Sequence, residues 1–236
     1  LSLWGKFGGF MAEMTLYHGS LDLIKKPVFG YEKTNNDYGL GFYCTQNLEL
    51  AKEWAAQDPE KDGWANEYSI EIDGLTSLNL NGSEYTILNW LSVLAKYRDF
   101  RVSTPLARHG KDYLIENFYV PVENYDMIVG YRADDSYFSF ARAFVNNEIS
   151  IAQLAKAMKL GKLGEQYVLK SQKAFEKLHF KKTHKSPADE YFSKRKDRNE
   201  NANLVFRKEA ENVDLDGIFM RDILREKIKN DDERLR

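Results

Sequence analysis

Four short stretches of this chain carry residue types able to hold a planar, polar ligand. They are Tyr17-His18-Gly19-Ser20, Gly39-Leu40-Gly41-Phe42-Tyr43-Cys44-Thr45, Trp54 and Glu165-Gln166-Tyr167-Val168. A flat ring is best gripped between aromatic faces, and Tyr43 and Trp54, 11 positions apart, supply two. A carboxamide needs a backbone donor and acceptor at close range, where a residue without a side chain such as Gly19 helps. Sugar hydroxyls need fixed polar partners, for which His18, Ser20 and Gln166 are candidates. Arg132 suits bidentate recognition of phosphate oxygens. Each residue also has a plainer reading. His-Gly-Ser forms turns, Tyr43 and Trp54 fit an apolar core, and Arg132 has Asp134 and Asp135 nearby in sequence to pair with.

The elements that position these residues follow from local pattern. Thr15–His18 reads as a strand running into a Gly-Ser turn, and Leu21–Lys25 as a single helical turn before Pro27. A Gly/Asn/Asp-rich crossing, 29–41, leads to a second strand at Phe42–Thr45. Asn47 caps a helix from Leu48 to about Gln57 that places Leu50, Ala51, Trp54 and Ala55 on one face. Asn66–Ile72 alternates as a half-buried strand. Helices are expected over Tyr85–Tyr97, Thr104–Phe118, Tyr137–Asn146 and Ser150–Lys159, with a central strand at Met127–Tyr131. After glycines 161 and 164 come a strand at Gln166–Lys170 and a short helix at Lys173–Leu178. Strands and helices mixed without regular alternation give an α+β class.

Successive strand residues face opposite ways. Gln166 and Glu165 therefore face opposite ways, and a bulge after Gly164 would exchange which of them faces a given side. From 181 onward charge dominates, interrupted by an apolar cluster at 213–224. Lys181, Lys182, Lys185 and Lys194 to Lys196 alternate with acids and read as a solvated face.

Composition narrows the function classes. The 236 residues are 43% hydrophobic and 14% aromatic, enough for a substantial core. With 34 basic and 36 acidic residues the net charge is −2, so no global field draws the chain to nucleic acid or a membrane. One cysteine, Cys44, excludes an internal disulfide and suits a reducing compartment. The four histidines and this cysteine show no metal-ligand spacing. No window approaches the ~20 apolar residues of a membrane span. Residues 1–13 read as a leader or processing remnant.

In order and spacing, His18-Gly19, Gly41-Phe42-Tyr43-Cys44-Thr45 and Trp54 resemble the ADP-ribosyltransferase superfamily, in particular its diphtheria-toxin-like and poly(ADP-ribose)-polymerase-like group. The run from Leu16 to about Phe180, including Tyr131–Phe138 and 160–166, is similar to a bacterial family of unknown function placed in that group. The resemblance implies a split β-sandwich with surrounding helices over residues 14–180 and a charged helical C-terminal extension over 181–236. It implies NAD as substrate, no metal, and an ADP-ribose acceptor that is a protein or nucleic acid. His18, Gly19, Ser20, Tyr43, Trp54 and Arg132 would bind NAD, and His18, Tyr43, Gln166 or Glu165 would act in catalysis. The chain departs from the pattern by tryptophan at 54, where the family has tyrosine, and by glutamine at 166, where it has glutamate. The absence of a Glu-x-Glu pair disfavours arginine as acceptor. The resemblance further implies a cytoplasmic toxin of a toxin–antitoxin or phage-defence system, restrained by a small antitoxin protein. The missing carboxylate at 166 motivates an alternative, a catalytically weak or inactive NAD- or nucleotide-binding module that works through a protein partner.

Overall fold

A computed structural model describes residues 12–31, 34–100, 102–133, 135–160 and 164–235. Among these the chain forms two β-sheets and eight helices, a mixed α+β arrangement with no closed barrel. The first sheet has the order β1-β3-β7, from β1 (Glu13–Ser20), β3 (Gly63–Glu71) and β7 (Leu178–Ser186), all antiparallel. The second has the order β2-β6-β5-β4, from β2 (Phe42–Cys44), β6 (Glu165–Leu169), β5 (Met127–Tyr131) and β4 (Ser77–Asn79). Its β4–β5 pair is parallel.

The sheets meet where β1 passes β2. Tyr17 and Thr45 exchange both backbone hydrogen bonds, at 2.8 and 2.9 Å. Between the sheets lie Leu16, Phe42, Tyr68, Ile70, Met127, Val129, Tyr167 and Leu169, all buried. The residues that alternate with these in the second sheet, Ile128 and Val168, face the larger core instead. There α2 (Ile87–Tyr97), α3 (Pro105–Phe118), α4 (Asp135–Val145) and α5 (Ile151–Leu160) pack Trp90, Leu91, Leu94, Phe118, Phe140, Phe144 and Leu154. The second sheet is thus apolar on both faces, which is why β5 reads as an unbroken apolar run.

Local signals explain most boundaries. The Asn47 side chain accepts from the Leu50 N–H at 3.0 Å and starts α1 (Leu48–Ala55). Thr104 caps α3 in the same way, with Pro105 in its first turn. The helical turn expected at Leu21–Lys25 does not form. The Asn66 side chain instead holds that segment as a loop, donating to the carbonyls of His18 and Asp22 and accepting from the Ile24 N–H. Three side-chain bonds to that backbone outcompete one helical turn.

The charged segment also differs from its sequence reading. Residue 180 lies inside β7, α7 (Ala188–Glu211) lies against α1, and α8 (Met220–Glu226) docks on α3. A short α6 (Gln172–Glu176) precedes β7. No helix among the described residues is long and apolar enough to cross a membrane.

Candidate functional site

A cleft of about 490 Å³ opens where the end of β1, β2, β6 and helices α1 and α7 converge. His18, Gly19, Tyr43, Trp54, Arg132 and Gln166, drawn from five separate parts of the sequence, all line it. Ser20 and Glu165 do not. Ser20 Oγ donates to the Asp22 carbonyl and accepts from Asn66. Glu165 is exposed and faces a second cavity, where its carboxylate accepts from Asn81 Nδ2 at 2.9 Å and from Tyr167 at 3.4 Å. The strand parity therefore turns Gln166 toward the first cleft and Glu165 away from it.

His18 is fixed on two sides. Its ring stacks on Phe42 with centroids 4.3 Å apart, and its Nδ1 lies 2.7 Å from the Tyr43 carbonyl. A carbonyl only accepts, so Nδ1 carries the hydrogen. Burial pushes the imidazole pKa below its ordinary value, opposed by the bond to Tyr43, so the neutral ring is favoured. Nε2 then bears a lone pair and is an acceptor for a ligand hydroxyl. The Tyr43 hydroxyl is held by the crossing loop, donating to the Gly39 carbonyl at 2.6 Å and accepting from the Tyr38 N–H at 3.0 Å.

Gly19 is required by packing as well as by any ligand. A Cβ there would stand 2.0 Å from the Ala51 carbonyl oxygen and 2.9 Å from Trp54 Cβ. The missing side chain lets α1 lie directly on β1 and brings Trp54 to the cleft. The Arg132 guanidinium sits over the Trp54 ring, 4.3 Å from its centroid. The buried indole N–H of Trp54 has no acceptor among the described residues. Asp134 and the side chain of Asp135, the expected alternative partners of Arg132, lie outside the described residues.

Several cleft residues escaped the sequence reading. Asp37 is buried in the wall beneath Gln166, whose Nε2 donates to it at 2.8 Å. Glu53, on the cleft side of α1, accepts from Arg198 of α7 along one guanidinium edge, from Nε at 2.6 Å and Nη2 at 2.7 Å. Arg195 donates to the Ala56 carbonyl at 3.0 Å, satisfying the C-terminal end of α1. Thus α7 forms one wall of the cleft rather than a solvated face. The only sequence signal for this was an i, i+3 spacing of arginines at 195 and 198, too common to single out. Among the described residues Arg98, Arg132, Arg195 and Arg198 face two acids, Asp37 and Glu53, an excess of positive charge suited to an anionic ligand.

The remaining histidines stand apart from the cleft. His184 pairs with Glu67 at 2.6 Å on the first sheet, His179 with Glu71 at 3.5 Å, and His109 is exposed on α3. Cys44 is fully buried. No group of three potential metal ligands occurs among the described residues.

No curated protein and no solved structure matches the chain. A family model described as a protein of unknown function (DUF3990) matches residues 14–180. That span holds both strands of the inter-sheet junction, α1 and Gln166, and stops short of α7. Covering well over half of the sequence, it makes this chain a member of the DUF3990 family.

Proposed function

We propose that the protein is an NAD-dependent mono-ADP-ribosyltransferase and that the cleft is its NAD site. The observation that carries this reading is the convergence of His18, Gly19, Tyr43, Trp54, Arg132 and Gln166 on one cavity with an excess of arginine. The fit is supported by three properties of the lining. The Trp54 N–H is a buried donor without an acceptor among the described residues, His18 Nε2 is a hydroxyl acceptor, and the arginines suit a diphosphate.

When bound, NAD supplies the ADP-ribosyl group to be transferred. Tyr43 and Trp54 hold the nicotinamide ring and the Gly19 backbone its carboxamide. His18 orients the ribose on the adenosine side, and Arg132 holds the diphosphate while stacked on Trp54. Gln166 holds a hydroxyl of the ribose whose bond to nicotinamide breaks. The acceptor is a protein or nucleic acid, and the physiological setting we propose is that of a bacterial toxin checked by a small antitoxin protein.

Incubating purified protein with labelled NAD and cell lysate, then digesting the product with protease or nuclease, tests the activity and sorts the acceptor class. Release of nicotinamide that His18→Ala abolishes is the expected result. Protein that neither binds NAD nor releases nicotinamide with any cell fraction refutes the proposal.

A second reading is favoured by the amide at 166. As a binding module, the wild type would bind NAD and yield no labelled product, with Gln166→Ala changing affinity alone. For an enzyme, Gln166→Ala must cut turnover by far more than it changes affinity.

A further inference from the structure

Asp37 and Gln166 are 129 positions apart and meet in the cleft wall, 6% and 3% exposed. Gln166 Nε2 donates to Asp37 Oδ2 at 2.8 Å, and the same oxygen accepts the Ala133 backbone N–H at 2.9 Å. Arg98 Nη1 lies 3.5 Å from Oδ1. Burial raises the Asp37 pKa, while the Ala133 N–H, Arg98, Gln166 and Arg132 all favour its ionised form.

This arrangement fixes Gln166 as well. A carboxylate accepts only, so the amide must turn its NH₂ toward Asp37. The other terminus, Oε1, has no donor among the described residues and belongs to a residue lining the cleft. Gln166 therefore offers the cleft an acceptor, with a negative charge one hydrogen bond behind it.

We propose that Asp37 is the positioning carboxylate of this site: it sets Gln166 so that Oε1 accepts from a ligand sugar hydroxyl, and its charge polarises that bond. This inference rests on the NAD reading above. In the transfer, the glycosidic C–N bond breaks with its electron pair going to the nicotinamide nitrogen. An oxygen or nitrogen nucleophile of the acceptor, or water, supplies the pair for the new bond to that carbon and gives its proton to solvent. The ribose carbon becomes electron-poor as the first bond lengthens, and negative potential held beside it lowers the barrier. Asp37, acting through Gln166, takes the place of the glutamate that this chain lacks.

The test measures NAD affinity, KM and kcat for nicotinamide release in the wild type, Asp37→Asn, Gln166→Ala and the double variant. An asparagine oxygen can still accept from both Gln166 and Ala133, so Asp37→Asn keeps the amide orientation and removes the charge. Its KM is expected to stay within ~3-fold of wild type while kcat falls at least ~10-fold. In the Gln166→Ala background the same change is expected to alter kcat by less than ~2-fold, because Asp37 then has nothing to act through. An unchanged kcat in Asp37→Asn, or equal losses in both backgrounds, overturns the proposal.

Gln166→Glu is the second variant, and it leaves Asp37 in place. It sets two carboxylates within hydrogen-bond reach, so they must share a proton. Among the described residues the pair is faced by the cations Arg98 and Arg132 and by Tyr38, whose hydroxyl pKa burial pushes well up. Nicotinamide release by this variant, divided by that of wild type, is expected to rise with pH as that proton leaves, because the added negative charge strengthens the potential beside the ribose. A flat ratio overturns the proposal. Wild type that fails to bind NAD overturns the functional reading and this role together. Wild type that binds and turns over, with Asp37→Asn unaffected, overturns this role alone.

Discussion

The bidentate pair between Glu53 and Arg198 ties α7 to the cleft wall, and its removal should be measurable in both stability and binding. Arg198→Gln leaves the Glu53 carboxylate, only 11% exposed, without its cation. Two unit charges about 4 Å apart at an effective dielectric near 20 attract by ~4 kcal/mol. Arg198 is 25% exposed, and ordering its long side chain opposes the gain, so about half should survive as net stability. The expected loss is ~2 kcal/mol, close to a 1 M fall in urea midpoint for a slope near 2 kcal/mol/M. Equilibrium urea unfolding of wild type, Arg198→Gln, Glu53→Gln and the double variant gives the coupling directly, because the double variant leaves no buried charge behind. A coupling near 2 kcal/mol, accompanied by weakened NAD binding in Arg198→Gln, is the expected outcome. A coupling below ~0.5 kcal/mol would place the pair with ordinary surface ion pairs and refute the account of α7 as a fixed wall.

Other measurements probe the remaining parts of the site. Burial depresses the His18 pKa, so the unfolded chain binds more protons near its ordinary value of ~6.5. The His18 contribution is therefore present above ~pH 6.5 and is lost as pH falls below it, and His18→Gln should flatten the melting-temperature profile between about pH 7 and 5. Gly19→Ala must push α1 off β1, because its Cβ would meet backbone at 2.0 Å. We expect a loss of ~3 kcal/mol together with loss of NAD binding, and a variant that melts like wild type would refute the close-approach account. Lys170, half-buried and donating to the Tyr38 carbonyl at 2.5 Å, has its pKa lowered to about 8 by desolvation. Between that value and an ordinary lysine's ~10.4 the unfolded chain binds more protons, so stability should rise with pH in wild type relative to Lys170→Met. Parallel melting curves for the two would refute the burial of a charged amine.

Local signals that act within a few residues were legible in the sequence. Asn47 and Thr104 cap the helices they precede, and the apolar run at Met127–Tyr131 marks a strand buried on both faces. Two-residue alternation put Gln166 and Glu165 on opposite faces of β6, while the choice of Gln166 came from the family resemblance. Contacts made by polar residues over long separations were not legible. Asp37 sits in an Asn-rich crossing that reads as exposed, and it is buried among partners far away in sequence, Arg98, Ala133 and Gln166. Helix α7 is apolar only toward its end, where Ala202, Val205 and Phe206 pack on the core, and its attachment to α1 runs through Arg198 to Glu53, Arg195 to Ala56 and Tyr191 to Glu49. Strand β7 was hidden for a related reason. Its lysines and histidines pair with Glu67, Glu71 and Glu13 on the first sheet, so a charged pattern encodes an edge strand.

That edge strand has a consequence for any attempt to work with a shortened protein. In the register of the first sheet, Lys182 through Ser186 pair with Glu67 back to Gly63. Cutting the chain after residue 180, where the family match ends, would strip the partner from that half of β3. The unprotected backbone would include Ala65 and Asn66 and carry none of the lysines that now guard the edge. Such a fragment would expose a ready template for strand addition between copies. Its insolubility would then report a bared sheet margin and say nothing about the chemistry of the cleft.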